Sequence, residues 1–330
     1  MTRRVRIAAG VLFALHAVVL LAGFFAPYDY DEQHRDYPYA PPTRVRMFDP
    51  QGRFHLRPFV YGSVQKLPSG EYREDHSRIY PVRFFPDGRL FGVADPGVLF
   101  LCGTDGFGRD VFSRVLYGGR ISILSGLLAT LIALTLGTIA GTLAGFYGGW
   151  MDRVLMRTGE LFLALPWLYL LLGIRAMLPL HIQPGQAFAL VVVVIGTMGW
   201  VRPARLIRGM TLTARESAYV LAARGFGASS VYVIRRHILP MTWSVILTQA
   251  TILIPQFIRA EVTLSFLGLG IAEPMPSWGN MLAAARQYFA IVSHSWMLAP
   301  GFALIPLLLG YLVLADSLLA AGASDANQDS

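Results

Sequence analysis

Cysteine, lysine and charge are all scarce in this chain. Of 330 residues one is cysteine and 15% are charged, where a typical soluble domain has about 25% charged residues. Cys102 alone permits no internal disulfide and no cysteine-based metal cluster, and it reads as a small apolar residue near a membrane surface. Lys66 is the only lysine, and it lies outside any Gly-x4-Gly-Lys-Ser/Thr context. That excludes a phosphate loop of the ATPase type. His16 has no histidine, cysteine or carboxylate at ligand spacing, which argues against a metal there. The apolar stretches carry no clustered Ser/His/Asp or metal constellation, which argues against a membrane-embedded enzyme.

Apolar residues are abundant instead, at 54%. The net charge of +8 comes from basic residues, nearly all Arg, gathered in short segments between apolar runs. That distribution sets membrane orientation and does not suggest nucleic-acid binding. Six windows, 7–26, 122–146, 154–178, 187–201, 243–264 and 296–319, suit a hydrocarbon core of about 30 Å. The fourth is short and is expected to start near Pro184 or to run past Val201. The first is too long for a usual signal core, and Pro27-Tyr28-Asp29 is a poor cleavage site, so it reads as a retained helix.

Arg3, Arg4 and Arg6 precede the first window. Arg153 and Arg157 lie between the second window and the first turn of the third, and Arg202, Arg205, Arg208, Arg215, Arg224, Arg235 and Arg236 lie between the fourth and fifth. With six spans these fall on one side, which places both termini in the cytoplasm. The expected organisation is an N-terminal transmembrane helix at 1–27, an extracytoplasmic insert at 28–100, a transmembrane domain at 101–320 with a cytoplasmic loop at 203–240, and a short cytoplasmic tail at 321–330. The insert reads as β-hairpins. Arg46 to Phe54 and Arg83 to Leu90 each form a strand–turn–strand pattern, around Asp-Pro-Gln-Gly and Pro-Asp-Gly. The predicted fold class is therefore an all-α polytopic membrane protein with a small β-rich insert after the first helix.

Gly137, Gly141 and Gly145 recur every fourth residue in the second window, a face on which another helix can approach closely. Glu160, Arg175, Arg259, Glu261 and Asp316 are the ionisable residues in or near the windows, and they are candidates for a solute pathway.

The cytoplasmic loop carries the clearest signal. Glu216 to Arg224 predicts a helix with its acid at the start and its base at the end. Tyr219, Ala223 and Phe226 share a face by spacing. Gly225 and Gly227 stop the helix, and Ser229 or Ser230 can cap a second one leading to Leu239 and Pro240. The predicted object is a short helix held across the membrane surface. It suits a groove on a soluble partner, with an amphipathic helix lying on lipid as the alternative.

This loop resembles the characteristic cytoplasmic loop of bacterial ABC importer permeases: Glu-Ala-Ala, three residues, Gly, nine residues, Ile-x-Leu-Pro. Ala222, Ala223, Gly227, Leu239 and Pro240 match it, while Leu221 stands for Glu and His237 for Ile. Those departures are typical of the dipeptide, oligopeptide and nickel branch, which Tyr219 to Arg224 and Arg236 to Pro240 match. Two further stretches resemble the same branch, the first looking like the segment before the second span in its second, or C-type, permease subunit and the second like the loop between the fifth and sixth spans. One is Gly103-Thr104-Asp105-Gly106-Phe107-Gly108-Arg109-Asp110, leading through Arg114 to Tyr117 and Ser122. The other is Leu264-Ser265-Phe266-Leu267-Gly268-Leu269-Gly270 with Pro274, Pro276, Ser277, Trp278 and Gly279. The resemblance covers 101–319 and leaves out 48–93 and the C-terminus.

The resemblance implies the six-helix type I importer fold. It implies half of a translocation pathway for peptides, or alternatively for nickel or another small solute, in the bacterial cytoplasmic membrane. The implied partners are a homologous permease, two ATPase subunits and an extracytoplasmic binding protein, alongside membrane lipid. No cofactor is expected on this chain, and ATP and Mg are expected on the ATPases. Glu216, Tyr219, Ala222, Ala223, Arg224, Gly225, Phe226, Gly227, Leu239 and Pro240 would form the docking segment. A secondary transporter, which would need no ATPase, is the rival reading.

Overall fold

A computed structural model describes residues 3–66, 71–164, 166, 169, 172–173, 183–286 and 292–328. The chain divides into two compact units. One comprises Met1–Leu12, Ile123–Leu264 and Leu307–Ser330, and the other Phe13–Ser122 and Ser265–Pro306.

In chain order the first elements are α1 (Arg3–Leu20) and α2 (Ala22–Phe25). A four-stranded antiparallel sheet in sequence order follows: β1 (Arg46–Phe48), β2 (Phe54–Lys66), β3 (Glu71–Phe84) and β4 (Phe91–Val93). The first turn is built by Asp49, whose Oδ1 accepts the backbone N–H groups of Gln51 at 3.0 Å and Arg53 at 2.9 Å. The second turn is a single 3₁₀ turn at Pro86–Gly88. The pairing of β2 with β3 slips between Tyr61 and Gly62, and among the described residues of β2 only Phe59, Val60 and Tyr61 are buried. The sheet thus has a narrow buried centre and solvent-facing ends.

Next come α3 (Val111–Tyr147), α4 (Gly149–Ala164), α5 (Pro184–Met198), α6 (Val201–Arg215), α7 (Ala218–Gly225) and α8 (Ser230–Val233). A π-helical turn at Ile234–Ile238 leads to α9 (Leu239–Met241), α10 (Trp243–Phe266) and α11 (Trp278–Ala284). A 3₁₀ turn, Ser295–Leu298, opens α12 (Ala299–Gln328). Among the described residues four stretches are long and apolar enough to cross a membrane: Val111–Tyr147, Pro184–Arg215, Trp243–Phe266 and Ser295–Ala320. These correspond to the second, fourth, fifth and sixth predicted windows. α1 is not among them, because Arg3, Arg4 and Arg6 occupy its first turn and leave a short apolar remainder. The third window begins within α4, and most of 165–178 lies outside the described residues.

The glycine stripe of α3 packs within its own unit, against α6. A Cβ on Gly141 would sit 2.5 Å from the carbonyl oxygen of Ala204. One on Gly145 would sit 2.7 Å from that of Arg208, and one on Gly137 2.9 Å from that of Trp200. At Gly141 the two backbones therefore meet with no side chain between them, while the Pro203 and Thr211 side chains flank the contact at Gly137 and Gly145. Ala140, Trp200, Val201 and Ala204 form the buried core along this contact. α4 is tied to α6 by a two-pronged ion pair in which Arg208 Nε and Nη2 donate to the Asp152 carboxylate at 2.5 and 2.6 Å.

Candidate functional site

The loop segment is held from beneath by one cluster. Phe146 at the end of α3, Ala214 on α6, Val220 on α7, Val233 on α8 and Ile238 are all buried together. The Arg224 guanidinium stacks 4.5 Å from the Phe146 ring centre. α7 is thus fastened along one side and free along the other, where Tyr219, Leu221, Ala222 and Phe226 are exposed, Phe226 to 93%.

The helix is shorter than predicted. Glu216 is not in it but closes α6, because Ser217, in extended backbone, takes the N-cap position of α7. Its partner is Arg215, at 3.5 Å. Ala223 is half-buried, since it lies three residues after the anchor Val220 and turns toward the core. The exposed strip therefore runs Tyr219–Ala222–Phe226.

The stop is a Schellman motif. Gly227, at φ +81°, is its left-handed residue, with Gly227 N–H donating to the Arg224 carbonyl at 2.9 Å and Ala228 N–H to the Ala223 carbonyl at 3.0 Å. Gly225 is the last helical residue and is exposed. Of the two candidate caps for α8, Ser229 fills the role, its Oγ accepting the N–H of Tyr232 at 3.3 Å. Leu239 is half-buried and Pro240 exposed in the short α9. The Tyr219 hydroxyl reaches Sδ of Met241, which links α7 to α9.

The other two motifs meet in the second unit, through a residue that the sequence did not single out. Asp105 accepts the N–H groups of Phe107 and Arg109 on Oδ1, at 2.8 and 3.1 Å, and Arg109 Nε on Oδ2 at 2.7 Å. Glu273 then joins both arginines, accepting from Arg109 Nη1 at 2.7 Å and from Arg114 Nη2 at 2.8 Å. Arg114 is 2% exposed, so Glu273 compensates a buried cation. Burial lowers the basicity of Arg109, but Asp105 and Glu273 outweigh it and hold the guanidinium above its usual range.

Around this charge lock, Thr104 Oγ1 accepts the Ala40 N–H at 2.7 Å, and its carbonyl accepts the Trp296 indole N–H at 3.0 Å. Gly103 lies against Ala40 and Trp296, and Gly108 accepts the His34 N–H at 3.1 Å. The Trp278 indole donates to the Val115 carbonyl at 2.9 Å, with Gly119 against its ring. Ser265 Oγ accepts the Ile271 N–H at 3.0 Å, Gly270 packs on Ser265, and Gly268 N–H closes the turn onto the Ser265 carbonyl. Pro276 and Gly279 are buried beside Ser277, which caps α11.

Asp110 caps α3. Its Oδ2 accepts both the N–H of Ser113 at 2.8 Å and the Ser113 hydroxyl at 2.6 Å, while Oδ1 has no hydrogen-bond partner among the described residues. Burial dominates and pushes its pKa up to about 7, against the lowering effect of the Ser113 and Phe112 hydrogen bonds.

Of the ionisable pathway candidates, Arg175 lies outside the described residues, Glu160 pairs with Arg157 at 3.3 Å, and Glu261 is fully buried. Among the described residues, no group of three or more His, Cys, Asp or Glu is placed to hold a metal ion.

Comparison with known proteins places the chain among membrane transport components. Residues 133–321 match the family described as binding-protein-dependent transport system inner membrane component. The dipeptide transport system permease protein of Alkalihalophilus pseudofirmus is 37% identical over 234 residues, covering 71% of this chain and 73% of that one. The glutathione transport system permease protein of Shigella dysenteriae is 40% identical over 232 residues, covering 70% and 72%. The dipeptide transport system permease protein of Bacillus subtilis is 38% identical over 218 residues, covering 66% of each.

Proposed function

This chain belongs to the family of binding-protein-dependent transport system inner membrane components, and on that premise we propose that it forms half of a peptide pathway through the bacterial cytoplasmic membrane. It is a permease subunit of an ATP-driven importer, with ATP hydrolysis on separate chains. The peptide cargo is proposed from the dipeptide and glutathione permeases it resembles. In this reading α1 and the helix begun by α4 join the four apolar stretches in a six-helix type I permease, with both termini in the cytoplasm and 28–100 outside. A homologous permease supplies the other half of the pathway, a binding protein delivers cargo from outside, and two ATPases carry ATP and Mg.

One observation carries the coupling role. α7 presents Tyr219, Leu221 and Phe226 to solvent while Val220 and Arg224 fasten it to α3 and α6. An apolar strip on a rigid mount suits a cleft in a soluble partner. Closure of the paired ATPases would push this strip, and the helices rooted in it would redirect the pathway from one side to the other.

The test is site-directed cross-linking in the assembled importer. With Cys102→Ser as background, Phe226→Cys is expected to cross-link to an ATPase subunit, and Ala222→Glu, on the exposed strip, to lower uptake per ATP while the chain still inserts. Normal transport by a well-expressed Ala222→Glu protein, or cross-linking of position 226 to lipid alone, overturns the assignment.

A further inference from the structure

A cavity of about 530 Å³ lies within the first unit, between α5, the start of α6 and α10, a size in the ordinary range for small-ligand pockets. Its walls are mainly apolar, with Phe162 and Leu163 of α4 beside Met198, Leu253 and Phe257, and four polar side chains line it: Arg202, Gln256, Arg259 and Thr263. Gln256 and Arg259 are three apart on α10 and share a face.

The two guanidinium groups are the unexplained part. The ion pairs of this unit join Arg157 to Glu160, Arg208 to Asp152 and Arg215 to Glu216. Among the described residues, Arg202 and Arg259 have none. Glu261 follows Arg259 by two positions, about 200° around the helix, is fully buried and does not line the cavity. Arg259 sits inside one of the apolar stretches suited to a bilayer, where an uncompensated cation is costly and marks a solute pathway by default. Two like charges, both exposed at the border of one cavity, also repel each other. An anion between them removes both penalties, and a carboxylate accepts two parallel N–H bonds from a guanidinium.

We propose that this cavity is a subsite for the terminal carboxylate of a peptide in transit, with Arg202 and Arg259 holding the carboxylate, Gln256 the adjoining peptide amide, and Leu253 and Phe257 the side chain. The proposal rests on the peptide-permease reading and adds a specificity element on this chain, separate from any selection by the binding protein.

The test uses the complete importer in proteoliposomes, with benzoylphenylalanine introduced as Met198→benzoylphenylalanine and the binding protein omitted. The probe is radiolabelled alanyl-phenylalanine, and the competitors are the unlabelled dipeptide and its C-terminal amide. Labelling of the chain is expected, with the free acid competing about tenfold better than the amide, as a charged hydrogen-bonded pair allows. Arg259→Gln and Arg202→Gln should abolish that preference, and Arg259→Lys should keep part of it.

No labelling, equal competition by acid and amide, or a preference unchanged in both Gln variants overturns the proposal. Loss of assembly in the Gln variants but not in Arg259→Lys also overturns it, since the arginines would then be pairing with a partner chain. Dipeptide uptake by the wild-type importer with its binding protein tests the underlying reading on its own. Uptake without a carboxylate preference at position 198 refutes the subsite alone, whereas no uptake refutes the peptide reading.

Discussion

Replacing Gly227 by valine probes the corner between α7 and α8. Gly227 sits at φ +81°, where an L-residue costs about 1–2 kcal/mol and a β-branched one lies at the upper end. A Cβ there would meet nothing within 4 Å, so the chain itself adds no clash to the strain. If the corner relaxes, the Gly227 and Ala228 N–H groups leave the Arg224 and Ala223 carbonyls. A cost of that size changes the population of the native corner roughly five- to thirtyfold. Asparagine tolerates the left-handed region, so Gly227→Asn adds bulk with little strain and separates the two effects. The assay is peptide uptake and ATP hydrolysis measured together in the reconstituted importer. Uptake per ATP should fall about fivefold or more in Gly227→Val and stay near wild type in Gly227→Asn, with global thermal unfolding unchanged in both. A wild-type ratio in Gly227→Val, or equal damage by Asn and Val, refutes the reasoning.

Three further outcomes are expected. Asp110, with its pKa raised to about 7, holds a proton when folded that it loses when unfolded, so stability should fall as pH rises from about 4 to about 7. Asp110→Asn keeps a good cap and should flatten that slope in thermal unfolding of the detergent-solubilised chain. Gly141→Val should destabilise by about 1–3 kcal/mol or more through overpacking against the Ala204 carbonyl, while Gly209→Ala on the open side of α6 should be neutral or stabilising; fluorescence-detected melting distinguishes them. Glu273→Gln should cost roughly 1–3 kcal/mol by leaving Arg114 buried beside a neutral partner, and a second change, Arg114→Met, should recover part of the lost melting temperature.

Local features were legible in the sequence wherever the physics is local. Apolar length marked four of the helices now seen, and Asp49-Pro50-Gln51-Gly52 and Pro86-Asp87-Gly88 marked the turns because their side chains and backbone preferences act over a few residues. Gly227 could be identified as a stop for the same reason. The spacing of Gly137, Gly141 and Gly145 exposed a face but not its occupant, since α6 lies some sixty residues further on. Glu273 was invisible because its partners Arg109 and Arg114 are 164 and 159 residues away, and nothing beside it in sequence suggests a charge lock. The misplaced helix start at Glu216 arose because the acid suits the helix dipole, whereas Ser217 has the backbone that actually begins the turn.

The seam between α3 and α6 also has a mechanical meaning. Ordinary helix contacts have compliance, because long side chains rotate and let one helix slide before the other responds. Where Gly141 meets the Ala204 backbone, there are no rotatable bonds to take up a displacement. α6 ends two residues before α7 begins, and Phe146, at the end of α3, lies in the cluster beneath α7. A push on α7 therefore reaches both helices at once and travels along them as through a single strut, with almost no lost motion.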